Sequence, residues 1–415
     1  MKVSRLLKPV SKVDLRDCIF EDCHFWKAKL LSAYKKFSRV KTLFVMNPRN
    51  KPEVKDSKYP PQLKNLIYQL NCDYFALLNN NLSNPRPDLA HNYLKYLKYS
   101  PRMNSFILAD YSSWHFPKVG SKGRNYLRSL EALKTCKLIS FSLKTPIEEG
   151  HFTSLAKFVE SMEHLEYFEL HIPDLDFLFN EDSLIIEMCK QINKHQKLRN
   201  LNLDFQNFNG IKSTKITNFI PYLCDLFTKP IKMETLSIAC YQLDPSQGLG
   251  SLMPLLETSA ATLTRLRIDS RALTGDKKMH KSIMKFLRKL SNIQVLEIPC
   301  LGINVSTIQF LDDIAEVVHE LKYLRVLELG KIKGIVLLSA FYQKVEAIVS
   351  ERGLRKFQCS LSKGLQNKLA RERNVMVPNT KRIVEKNPYL ETIDISNDFH
   401  HFYGIEAWTE TQDPI

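Results

Sequence analysis

Apolar residues recur along the chain in one spaced pattern: apolar, two variable, apolar, one variable, apolar. The clearest copies are Leu165/Phe168/Leu170 and Leu198/Leu201/Leu203. Met233/Leu236/Ile238, Leu263/Leu266/Ile268, Ile293/Leu296/Ile298 and Leu324/Leu327/Leu329 follow. Leu354/Phe357/Cys359 and Leu390/Ile393/Ile395 are weaker, and Leu138/Phe141/Leu143 fits well. Met103/Phe106/Leu108, Cys72/Phe75/Leu77 and Val40/Leu43/Val45 are the loosest. One such hexapeptide arises by chance. Twelve, with first anchors spaced 27 to 36 residues apart, define a repeat.

The last three anchors alternate with period two, which predicts a short strand with one buried face. Between strands the period lengthens. Ser183–His195 carries Leu184, Ile185, Met188, Cys189 and Ile192 at helical spacing, and Thr307–Leu321 carries Ile308, Leu311, Ile314, Val317, Val318 and Leu321. Ser282–Leu290 and Ala340–Val349 read the same way. A lone strand–turn–helix unit cannot bury both its strand face and its helix stripe. Stacked neighbours can, between an inner parallel sheet and an outer helical layer.

These copies resemble leucine-rich repeats of the long, helix-containing, ribonuclease-inhibitor-like kind, and are similar to divergent protist, especially ciliate, members. The resemblance implies an α/β fold: a leucine-rich repeat solenoid, or horseshoe, of about twelve irregular coils. It covers most of the chain. Residues 1–35 are a basic N-terminal segment or cap. Residues 36–397 form the solenoid, with less regular, basic coils over 36–135 and regular ones over 136–397. Residues 398–415 are an acidic, aromatic tail or cap. The family pattern places Asn or Cys three residues after the last anchor, where it bonds backbone between coils. Asn80 fits and Asn207 misses by one place; Pro146, Tyr241 and Ile332 stand elsewhere. That polar ladder is largely missing.

If the strands line a concave face, the variable residues between anchors point into it. The first coils then offer Phe44, Met46, Tyr74, Ala76, Leu78, Ile107 and Ala109, and later ones Tyr167, Glu169, Arg265, Arg267, Asp269 and Glu297. An apolar patch of that kind marks an interaction surface unless another segment covers it. Candidate partner-binding residues are therefore Phe44, Met46, Tyr74, Leu78, Ile107, Tyr167, Arg265 and Arg267.

Charge sharpens this picture. The net charge is +16, and residues 1–135 hold 25 Lys and Arg against 10 Asp and Glu, so the remainder is almost balanced. A local excess creates a potential that draws in an anionic surface. Lys27, Lys29, Lys35, Lys36, Arg39 and Lys41, interleaved with Trp26, Tyr34 and Phe37, form a candidate anion-binding cluster. An acidic protein surface is the expected partner. Basic residues among aromatics also suit single-stranded nucleic acid, so RNA or ribonucleoprotein association is the alternative.

Other chemistry is sparse. Nine cysteines, an odd number at low density, do not make a disulfide scaffold and point to a reducing compartment. Cys18, Cys23 and His24 lack a fourth ligand for structural zinc, and His400–His401 reads as a solvated pair. Gly330–Gly334 lacks the Lys-Ser/Thr of a phosphate loop, and no nucleophile elbow occurs. Asp312–Asp313 reads as solvated charge, and the cluster Lys277 to Lys289 as a convex solvated surface. The expectation is a non-enzymatic interaction scaffold, an accessory subunit of an intracellular assembly, with no cofactor, metal or small-molecule substrate. No apolar run is long enough to span a membrane. A cytoplasmic or cytoskeleton-associated protein is expected, and the basic start before Asp14 is compatible with a mitochondrial address.

Overall fold

The computed structural model describes residues 12–15, 42–47, 74–79, 103–110, 130, 133–134, 136–144, 149–171, 182–205, 233–240, 256–269, 277–298, 307–332, 338–350, 353–361 and 373–397. They fall into two units, Met1–Ile231 and Lys232–Ile415.

In the first unit seven strands pair in parallel, each with the next in sequence. They are β1 Lys12–Leu15, β2 Thr42–Asn47, β3 Tyr74–Asn79, β4 Ser105–Asp110, β5 Ser140–Lys144, β6 Tyr167–His171 and β7 Asn200–Phe205. Helices α1 Glu149–Glu160 and α2 Asp182–Asn193 alternate with the last of them. The second unit holds β8 Thr235–Cys240, β9 Arg265–Asp269, β10 Val295–Ile298, β11 Val326–Ile332, β12 Lys356–Leu361 and β13 Thr392–Asn397, again parallel in chain order. Its helices are α3 Lys277–Leu287, α4 Thr307–Glu320, α5 Leu338–Val349 and α6 Arg373–Lys386. Helix–strand alternation with an all-parallel sheet is the arrangement a solenoid requires.

Each of the twelve anchored hexapeptides overlaps a strand, and within each unit the register aligns the last two anchors. Among the described residues the anchors of the coils that begin at Met103 through Leu354 are buried, whereas Ile393 and Ile395 in the last strand are partly exposed. Phe106, Phe141 and Phe168 occupy the middle anchor of three successive strands and stack with centroids 5.8 and 6.1 Å apart, while Phe158 of α1 meets Phe141 edge-on at 5.4 Å. Leu155 and Val159 of α1, and Met188, Cys189 and Ile192 of α2, complete that core from the helical side. The second unit repeats the scheme with Leu236, Leu266, Leu296, Leu327 and Phe357 against Leu311, Ile314, Phe341 and Val345.

One strand was not foreseen. β1 lies inside the segment read as a cap, with Val13 opposite Leu43 and Leu15 opposite Val45. Its sequence, Val10/Val13/Leu15, is the same hexapeptide, 30 residues before Val40. Helices α1 and α6 were not foreseen either, and α3 begins five residues before the predicted Ser282.

A backbone spine fixes the register. The carbonyl after each first anchor accepts two consecutive amides from the next repeat. Asn104 O takes the N–H groups of Ile139 and Ser140; Ile139 O those of Glu166 and Tyr167; Glu166 O those of Arg199 and Asn200. In the second unit Glu234, Thr264, Gln294, Arg325 and Arg355 do the same in turn, ending on Glu391 and Thr392. A second recurrent contact ends the helical side: the anchor amides of Leu165, Leu198, Ile293, Leu324 and Leu390 donate to the carbonyl three residues earlier. That earlier residue is buried each time: Met162, His195, Leu290, Leu321 and Asn387.

Candidate interaction surface

The strands position the predicted surface through their register. Phe44, Ala76, Ile107, Ser142, Glu169 and Asn202 lie on consecutive strands in one row; Met46, Leu78, Ala109, Lys144, His171 and Asp204 form another. The apolar candidates Phe44, Met46, Tyr74 and Leu78 are thus neighbours by backbone register, although their side chains lie outside the described residues. Ile107 is half-exposed. The cluster Lys27, Lys29, Lys35, Lys36, Arg39 and Lys41 also lies outside the described residues, as do Cys18, Cys23, His24, His400 and His401.

Further along, the rows are not open as expected. Ser142, Glu169 and His171 are buried on the face predicted to be free, and so is Ser237 in the second unit. Hydrogen bonding explains Glu169. Its Oε2 accepts from Ser142 Oγ at 2.6 Å and from Tyr167 OH at 3.2 Å. Its Oε1 accepts from Asn202 Nδ2 at 2.6 Å, and Lys144 Nζ lies 3.1 Å away. Four groups from three strands converge on one carboxylate, which answers the desolvation that would otherwise oppose a buried charge. His171 and Asp204 form a second pair beside it at 3.6 Å. Of the candidates here, Tyr167 is a member of this lattice rather than an outward contact.

The second unit carries a more open version. Arg265 is half-exposed and forks onto Glu297, with Nη2 at 3.0 and 3.2 Å and Nε at 3.3 Å from its carboxylate oxygens. Gln358 donates to Asp394 at 3.4 Å. Arg267, two residues further along the same strand and opposite Glu297 in the register, is partly covered.

The helical side differs from the solvated surface expected of it. His280 is buried and meets Asp313 at 2.5 Å, and Gln309 holds the other carboxylate oxygen at 2.9 Å. Asp312 pairs with Lys344, Arg288 with Glu316, and Lys289 with Glu257. Glu346 on α5 takes both Arg382 and Lys386 from α6. The acids read as free solvated charges are partners of basic residues on neighbouring helices. His280 was hidden because it occupies a stripe position that Ile283, Met284 and Leu287 continue.

The missing polar ladder has a counterpart before the strands, not after them. Asn387 Nδ2 donates to Val349 O at 2.5 Å and to Leu354 O at 3.3 Å, both in the preceding repeat. His195 stands at the equivalent place, bonded to the backbone of Val159 and Met162. Thr262 Oγ1 donates to Met233 O at 2.6 Å and Asn292 Nδ2 to Ala261 O at 2.7 Å. For Asn387 and His195 the signal available in the sequence was a polar residue three places before an anchor, in a position otherwise apolar; Thr262 and Asn292 stand directly before theirs.

Burial pushes the Cys189 thiol up to about 12 and raises Cys359 as well, so neither is a nucleophile near neutrality. Among the described residues no group of three or more His, Cys, Asp or Glu is placed to hold a metal ion, and no helix is long and apolar enough to cross a membrane.

These observations define the class: an α/β protein of parallel strands and alternating helices, in an arrangement that fits a solenoid. No protein-family model matches the chain, and no curated protein matches it.

Proposed function

We propose that the chain is a leucine-rich-repeat protein acting as a non-enzymatic scaffold, an accessory subunit of a larger intracellular assembly. Its basic first third steers it to an acidic protein partner, and the apolar rows at Phe44, Met46, Tyr74, Leu78 and Ile107 seat the contact. The observation that carries this reading is the coincidence of two asymmetries in one stretch. Residues 1–135 hold the charge excess, and the same stretch holds the register-aligned apolar rows. Long-range attraction and short-range apolar burial then act on the same partner.

The test is paired substitution. Phe44→Asp with Ile107→Asp is expected to abolish co-purification of the partner from native extract while circular dichroism and melting stay unchanged. Undiminished capture would mean that these rows are not the contact. Purified RNA provides the discriminating control. Steeply salt-dependent binding to RNA alone, with no fixed protein neighbour, would favour the nucleic-acid reading instead.

A further inference from the structure

The leading edge of β11–β13, where the chain enters the strands, carries a feature unlike the other described residues. Tyr323, Gly353 and Tyr389 each directly precede the first anchor of their repeats, at Leu324, Leu354 and Leu390. The parallel register Val326↔Lys356↔Thr392 puts them in three consecutive coils. Both tyrosines are exposed, at 53% and 61%, the two most exposed large apolar side chains among the described residues. Gly353 lies between them with no side chain of its own.

The space it leaves is occupied by a guanidinium. A Cβ built on Gly353 would stand 2.5 Å from Arg325 Nη1. That nitrogen donates to Gly353 O at 3.0 Å, the one hydrogen bond Arg325 makes through its side chain among the described residues. Its neighbour Arg355 is already engaged by Glu391 at 3.2 Å. Among the described residues the other donors of its five have no protein partner, which leaves them to a ligand at this edge. Lys322 and Lys356, both exposed, add positive charge nearby, against Glu391.

The edge is also stiff. Tyr389 N donates to Asn387 Oδ1 at 3.0 Å, closing an Asx turn around Pro388. Asn387 is itself buried and tied to Val349 O and Leu354 O. An exposed aromatic on a fixed backbone loses little freedom on binding, which favours it as an anchor.

Spacing selects the occupant. Two steps across a sheet are about 9.6 Å. Three residues of polyproline II advance about 9.3 Å, and prolines of such a segment dock on exposed aromatics. We propose that this edge is a docking site for an acidic polyproline-II peptide. Two prolines three residues apart seat on Tyr323 and Tyr389, and a carboxylate between them forks onto Arg325. The site is independent of the basic first third and of the apolar rows.

Fluorescence anisotropy of the full chain with fluorescein-labelled Pro-Glu-Glu-Pro-Pro-Glu-Glu-Pro tests it. Saturable binding is expected, at least tenfold weaker for Tyr323→Ala with Tyr389→Ala, and similarly weaker when glutamine replaces glutamate in the peptide. Arg325→Gln should erase the preference for glutamate over glutamine. Gly353→Ala should weaken binding by displacing the guanidinium, with only a small drop in melting temperature, because the closest atom is the flexible end of a side chain and the Leu324 carbonyl oxygen, at 3.2 Å, must give only slightly. Absence of saturable binding would overturn the proposal. So would binding that the tyrosine pair does not affect, since that is general attraction to a basic chain.

Discussion

At the residue scale, polar groups in buried positions do most of the distinguishing. Glu169 gathers Ser142, Tyr167, Asn202 and Lys144. Removing the acceptor strands three to four donors, so Glu169→Ala is expected to destabilise by about 2–4 kcal/mol, measured by chemical denaturation. Glu169→Gln should lose less. His195 makes a sharper test, because burial holds its imidazole below the ordinary 6.5 and outweighs the backbone bonds to Val159 and Met162. Above pH 6.5 folded and unfolded chains both hold it neutral. As pH falls below 6.5 the unfolded chain takes up a proton that the folded chain resists, so stability declines until the depressed folded value is reached. His195→Leu, matching Leu290 and Leu321 at the equivalent place, should flatten the dependence of melting temperature on pH between 7 and 5. These residues were the least legible in the sequence. A buried Glu, His or Asn looks like a surface residue until its partners, some 30 residues away, are known.

At the element scale the sequence was far more readable. Strands are set by anchors two apart and helices by a stripe at 3.6, and these local periods survive irregular spacing. β1 escaped because its hexapeptide sat within a segment dominated by charge. Helix α6 escaped because Pro378 interrupts its stripe. What the pattern could not show is how repeats are joined, since the double-acceptor carbonyls use backbone alone. Gln294 is exposed and its amide donates to Thr264 O at 2.7 Å. Gln294→Pro should therefore cost about 3 kcal/mol while Gln294→Ala is nearly neutral, by denaturant titration. On the helical side, the hydrogen bond from Lys386 and the charge of Arg382 hold the Glu346 carboxyl below the ordinary 4.5. Its contribution is present above pH 4.5 and is lost as pH falls through the depressed value. Glu346→Gln should lower stability at pH 6 and lessen the further loss on going to pH 3.

At the scale of the whole molecule, the described strands pair with their sequence neighbours within each unit, so stability is a sum of near-neighbour terms. Two units, each with its own core, should not obey a single two-state transition. Phe168→Ala in the first unit and Leu327→Ala in the second are expected to cost roughly 3–5 and 2–5 kcal/mol. Each should move a different part of the calorimetric profile. Charge is the other molecular-scale property. The excess in residues 1–135 was visible at once in the sequence, as was the alignment of apolar positions that the register bears out. The closure of the rows around Glu169 was not, because it depends on the length and donors of Lys144, Tyr167 and Asn202. The central claim is that the basic first third meets an acidic protein. Zero-length carbodiimide crosslinking of native extract, read by mass spectrometry, tests it most directly, because it joins lysine to carboxylate only where they touch. The account predicts crosslinks from Lys27, Lys29, Lys35, Lys36 and Lys41 to Asp and Glu of one recurring partner. Crosslinks confined to the chain itself, or partner crosslinks that arise only from lysines beyond residue 135, would contradict it.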